Sequence, residues 1–169
     1  MYHSITFADL GNSDIYTAEE ANNLGRPDLA GMIKGYNTWY DWHMIPTSRP
    51  TIEHPEITMT FTKIPGRHGS IDFTNYMSDN PIMADRSGSF EFVMVEGYGD
   101  RLYTRLSLVN TLHGRRMKMS FEDDPEAYYI ARLSIKDWKN ESMAPYFTID
   151  YQAEPYKYDL QGNIIEGDL

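Results

Sequence analysis

DRLYTRLSLVNTLHGRRMKMSFEDDPEAYYIARLSIKD, residues 100–137, decides the fold. Leu102, Leu106 and Val109 recur at helical spacing and Leu112 continues the stripe, which predicts a helix over 100–112 with that ridge in the core. His113 and Gly114 suit its last turn and C-cap. Beyond the glycine the period falls to two. Met117, Met119 and Phe121 alternate with Lys118 and Ser120, and residues 122–125 turn. Tyr129, Ala131, Leu133 and Ile135 then share a face opposite Tyr128, Ile130, Arg132, Ser134 and Lys136. A hairpin over 117–137 follows, with one more strand at 146–152 that turns Phe147, Ile149 and Tyr151 inward.

Outward from this unit the pattern is mostly strand. Residues 4–7 read as an edge or tail strand. Residues 8–36 read as an excursion from the main fold, partly mobile, with a capping box at Thr17 and Glu20 and a second short helix over 27–33. In 37–46, Tyr40, Trp42 and Met44 fall on one strand face and Trp39, Asp41 and His43 on the other. Residues 56–64 form a strand whose threonine face, Thr58, Thr60 and Thr62, is either wet or laid against a neighbour, and 70–74 return from the turn at 65–69. Residues 75–87 read as loop, and 89–96 as a strand with Phe90, Phe92 and Met94 inward. The sum is a mainly β fold, a β-sandwich or small barrel of seven or eight strands with one packed helix. The domain covers 1–158 and a thin tail covers 159–169, either disordered or adding one exposed strand.

Composition narrows function by exclusion. The 169 residues contain no cysteine, so disulfides, thiolate metal sites and cysteine nucleophiles are excluded. No signal peptide or membrane-spanning stretch is expected. The net charge of −10 argues against a nucleic-acid-binding groove, although an acidic surface can face DNA without holding it. His3, His43, His54, His68 and His113 lack metal-ligand spacing, so no metal or other cofactor is expected. Asp41 and His43 share a strand face but have no nucleophile beside them, so the chain does not read as an enzyme. Arg115 and Arg116 either meet acid across an interface or pair with Glu122, Asp123 and Asp124 across the hairpin.

Several segments together resemble the distal tail proteins of long-tailed siphophages and related prophages. They are MYHSITF (1–7), NTWYDWHMIPTSRP (37–50), IPG (64–66), DRSGSFEF (85–92), LHGRRM (112–117), FEDDP (121–125), IDY (149–151) and EPYK (154–157). The resemblance implies a β-sandwich with a helix, six copies in a ring, and a structural part without catalytic residues. That ring joins the last tail-tube ring to the hub or tip protein at the distal end of the virion tail, and DNA passes through its lumen. Assembly takes place in the bacterial cytoplasm. Two departures stand out: relatives run almost directly from the equivalent of Phe7 to that of Asn37, and many carry a second, carbohydrate-binding domain. Candidate ring contacts are Trp39, Thr58, Thr60, Thr62, Arg115 and Arg116. The alternative is a monomeric glycan- or peptide-binding module that uses exposed aromatics, with Trp39 and Trp42 as candidates for its groove, although their i,i+3 spacing puts them on opposite strand faces and one of them in the core.

Overall fold

The computed structural model describes residues 2–76, 78–95, 101–140 and 144–166. In chain order its elements are β1 (Ile5–Asp9), α1 (Ala18–Asn23), β2 (Tyr36–Asn37), β3 (Met44–Pro46), β4 (Phe61–Lys63), β5 (Ser70–Asp72) and β6 (Arg86–Met94). These are followed by α2 (Arg101–Leu112), β7 (Arg116–Phe121), β8 (Asp124–Asn140), β9 (Pro145–Ala153), β10 (Lys157–Asp159) and β11 (Ile164–Glu166). One sheet follows the path β2–β1–β7–β8–β9–β6–β3, antiparallel at every step. β2 and β3 are its two ends, yet only residues 38–43 join them, and Met44 N–H donates to Thr38 O at 2.9 Å. The sheet has therefore curled into a half-barrel around Phe7, Phe92, Met117, Met119, Leu133 and Phe147, all fully buried. A mainly β fold with a packed helix is met in this form.

α2 closes the core with Leu112, as expected, and with Val109 half-buried, but the first half of the expected ridge faces outward. Leu108 and Leu112 are fully buried, whereas Leu102 and Leu106 are 63% and 53% exposed. Two steps along a helix turn a side chain by about 200°, so Leu106 and Leu108 face opposite ways. Half-buried Thr104, Ser107 and Thr111 complete the packed face, and Trp42 Nε1–H donates to Ser107 Oγ at 3.3 Å. An apolar count passes over hydroxyl residues and so misplaces Leu102 and Leu106 while finding Leu112. The helix ends as expected, with Gly114 at φ 75°, a left-handed conformation that costs glycine little. Gly114 N–H donates to Leu133 O at 2.8 Å and Ile135 N–H to His113 Nδ1 at 3.1 Å, which fastens the helix end to β8. Asp100 lies outside the described residues.

The hairpin is longer than its periodicity suggests. The pairing of β8 with β9 shifts between Lys136 and Lys139, and Asp137 has φ 52°. Such an irregularity re-aims the residues after it, and Trp138 stacks on Phe147 with ring centroids 5.2 Å apart. The turn acids do not pair with Arg115 or Arg116. Glu122 accepts from Ser4 N–H at 2.8 Å, Asp123 bonds His3 Nδ1 at 3.0 Å and Arg49 Nε at 2.9 Å, and Asp124 pairs with Lys157 at 2.6 Å. Arg116 sits at the far end of β7, roughly 17 Å from the turn at strand rise, and pairs instead with Glu154.

Strand β1 is neither edge nor tail. It lies between β2 and β7, with Ile5 and Phe7 fully buried on one side and Thr6 and Ala8 on the other. The excursion explains this, because it returns as β2 and covers the outer side of the sheet. Its capping box is present: Glu20 N–H donates to Thr17 Oγ1 at 3.2 Å and Thr17 N–H to Glu20 Oε2 at 3.0 Å. In place of a second α-helix, Pro27–Leu29 makes one 3-10 turn. Ala21, Leu29 and Met32 form a small core of their own. A Cβ on Gly35 would stand 2.4 Å from Phe7 O, so the returning chain needs glycine to lie this close to β1. Lys118 and Ser120 are buried beneath the excursion. Lys118 Nζ donates to Asn12 O at 2.8 Å and lies 4.7 Å from the Tyr128 ring centroid, and burial lowers its pKa.

Residues 37–46 form a reversal, not a single strand. Asn37 Oδ1 accepts from Trp39 N–H (2.9 Å) and Tyr40 N–H (3.2 Å), while Asp41 Oδ2 accepts from Asn37 N–H (2.7 Å). Side-chain acceptors of this kind compete with the sheet ladder for backbone donors. Asp41 is therefore committed to the turn, and the strand face it was expected to share with His43 does not exist. Beyond β9, β10 pairs with β8 (Tyr158↔Tyr128) and with β11, so the C-terminal segment adds a short hairpin to the sheet, half-buried along β10 and exposed at Ile164 and Ile165.

Candidate assembly surface

Between β3 and β6 the chain leaves the half-barrel as an arm. Its two legs are held together by Ala84 N–H to Glu56 O (2.8 Å), Thr58 N–H to Ile82 O (2.9 Å) and Phe73 N–H to Thr60 O (2.7 Å). The β4–β5 ladder beyond pairs Phe61↔Asp72, Thr62↔Ile71 and Lys63↔Ser70. Residues 56–64 are thus one leg, with regular strand only at Phe61–Lys63, and residues 75–84, read as loop, belong to the returning leg. β4 and β5 pack chiefly on each other. Thr58, Thr60 and Thr62 are exposed as expected, but so is the alternate face: Met59 is 64% exposed and Phe61 56%. Tyr76 on the returning leg is 81% exposed. Alternation marks two unlike faces and does not say that either is covered. From residue 56 to the turn at 65–68 the arm reaches roughly 30 Å at strand rise.

The arm's root is fixed by Arg86, whose side chain is 2% exposed. Its Nε and an NH2 donate to Pro155 O at 2.9 and 2.7 Å, NH1 donates to Glu53 O at 3.2 Å, and NH2 meets Glu166 Oε1 at 2.9 Å. The guanidinium also lies 5.3 Å from the Tyr129 ring centroid. One buried cation therefore joins the outgoing leg, the start of β6, the exit from β9 and β11. Burial pushes the Glu166 carboxyl up, and the bonds from Arg86 and His54 outweigh it, leaving it below the ordinary range. Sequence reasoning missed Arg86. Its signal was slight: an arginine opening a strand, between a loop and an apolar run.

The other candidate residues are dispersed. Trp39 is half-buried in the β2–β3 turn, stacked on Tyr2 with centroids 3.9 Å apart and edge-on to His43 at 5.7 Å. Trp42 is core, and Trp138 lies between Phe147 and the Arg105 guanidinium. Arg115 and Arg116 are exposed after α2. Arg116 shares a shallow depression of about 380 Å³ on the outer sheet face with Asp85, Arg132, Gln152 and Glu154. Gln152 Nε2–H donates to Asp85 Oδ2 at 3.0 Å. The structure thus places Arg116 near the arm's root and Trp39 elsewhere. Beside it, an open polar face carries Ser87, Ser134, Lys136, Asp150 and Gln152, where a bond to Asp150 raises the Lys136 pKa. Among the described residues no three metal-ligating side chains come together.

A scan against protein-family models finds no match, and no curated protein matches. Among solved structures, the chain is similar to the SPP1 Dit (gp 19.1) protein, described as a paradigm of the hub adsorption apparatus in phages infecting Gram-positive bacteria. Identity is 18% and the TM-score 0.48, over 69% of this chain and 44% of that one. The chain thus spans less than half the length of that structure. At this level the likeness assigns neither family nor role.

Proposed function

We propose that this chain is a structural part of a siphophage or prophage tail. Six copies close a ring that joins the tail tube to the hub or tip and lets DNA pass without binding it. The observation that carries the reading is the arm. An arm of roughly 30 Å that exposes Met59 and Phe61 on one leg and Tyr76 on the other suits a contact with another chain. A head-to-tail ring needs two unlike patches on each subunit, and the arm supplies one. The distal-tail-like segments at 1–7, 37–50, 85–92, 112–117 and 121–125 supply the context. The formal charge of −10 suits a lumen that repels DNA backbone. The glycan-binding alternative loses support, since Trp42 is core and Trp39 is stacked under Tyr2. Native mass spectrometry of the purified chain, alone and mixed with tail-tube and hub proteins, tests the proposal. A closed oligomer is expected, and a persistent monomer in every mixture overturns it.

A further inference from the structure

The outgoing leg and tip of the arm carry a local charge: residues 57–71 contain Lys63 and Arg67 and no Asp or Glu, a formal +2, while the acids of the arm, Glu56, Asp72 and Asp79, lie at its root and on the returning leg. The excursion is the opposite. Residues 8–36 hold Asp9, Asp14, Glu19, Glu20 and Asp28 against Arg26 and Lys34, a formal −3, and all five acids are exposed. Two of them are engaged within the chain: Lys34 Nζ lies 2.9 Å from Glu20 Oε1, and Tyr40 O–H donates to Asp28 at 2.5 Å. Asp9, Asp14 and Glu19 have no ion-pair partner within 4 Å among the described residues. Leu10 and Leu24, 42% and 55% exposed, add apolar surface beside them.

The two regions also share a level. Asp9 pairs with Met117, Met117 with Ala131, Ala131 with Ala153, and Ala153 with Arg86. The excursion therefore leaves the sheet in the same row at which the arm rejoins it, four strand spacings away, or roughly 19 Å along the curved sheet. For a ring whose axis runs along the strands, a rotation carries one patch to the height of the other. The arm's reach of roughly 30 Å exceeds this separation. We infer that the arm of one copy lies on the acidic excursion of the next, with Lys63 and Arg67 facing Asp14 and Glu19, and Met59 and Phe61 against Leu10 and Leu24. This rests on the ring reading above, and it gives residues 8–36 an assembly role.

Charge reversal tests it by native mass spectrometry, with tube and hub proteins added if the wild type requires them. K63E/R67E and D14K/E19K each abolish the ring, and the chain carrying all four substitutions restores it. These side chains are exposed, so each variant keeps the wild-type melting temperature, which confirms folding. As a second readout, H68C with N23C in this cysteine-free chain gives disulfide ladders between copies, and neither single variant does. A wild-type ring that survives K63E/R67E, or one lost in both pairs and not restored by the combination, overturns the contact while leaving the ring reading intact. A wild type that stays monomeric with every partner overturns both.

Discussion

Arg86→Met removes the buried cation that ties the arm to the half-barrel. Methionine keeps most of the length and apolar volume, so the change isolates the polar contacts. Pro155 O loses the donors at 2.9 and 2.7 Å, Glu53 O the donor at 3.2 Å, and Glu166 its partner at 2.9 Å. A buried acceptor left without a donor costs about 1–3 kcal/mol; Pro155 is half-buried and Glu53 exposed, so each carbonyl falls at the low end, about 1 kcal/mol. Breaking a buried ion pair costs about 3–5 kcal/mol, but the Glu166 side chain is 36% exposed. Water reaches that carboxylate, and its share falls to about 1 kcal/mol. The expected loss is about 3 kcal/mol, equivalent to a fall in Tm of about 6–12 °C for a chain of this length. Circular dichroism melts measure the fall. Limited proteolysis locates it, with cleavage accelerating first at residues 53–56 and 155–166. A Tm within about 2 °C of wild type, with an unchanged digestion pattern, would refute Arg86 as the fastening of the arm.

Two further substitutions probe the helix and the hairpin turn. Leu108→Ala is expected to cost about 2–5 kcal/mol and Leu106→Ala less than about 0.5 kcal/mol in urea unfolding, since only Leu108 is buried; equal losses would reverse the assignment of the packed face. For Asp123, burial pushes the carboxyl up, and the bonds from Arg49 and His3 outweigh it, so its pKa lies below the ordinary value. Its stabilisation is therefore present above the unfolded pKa of about 3.9 and disappears as pH falls through the folded value. Asp123→Asn should cost about 1 kcal/mol at pH near 7, and the deficit should shrink as the pH falls through the lowered folded value. A deficit that stays constant across that range contradicts the linkage.

The parts of the fold legible in the sequence were those whose chemistry is local. The capping box at Thr17 and Glu20, the glycine after α2 and the alternation of Met117, Met119 and Phe121 each act within a few residues, and each is present. The misreadings arose where distant chain intervenes. Lys118 and Ser120 are buried, and nothing in the alternation around them shows that the excursion supplies the cover, as the bond from Lys118 to Asn12 O does. The segment 37–46 read as a strand because aromatic alternation resembles one, while the bonds gathered by Asn37 depend on how the turn closes. In the candidate surface, the exposed threonines were legible from their residue type. The equal exposure of Met59 and Phe61 was not, because burial of an apolar face depends on what packs against it.

Negative-stain electron microscopy of the purified chain, with tail-tube protein added, tests the central claim most directly. The account predicts closed rings with a central hole in wild-type samples and single-chain particles for K63E/R67E. Single-chain particles from the wild type at every concentration and with every tail partner would contradict it.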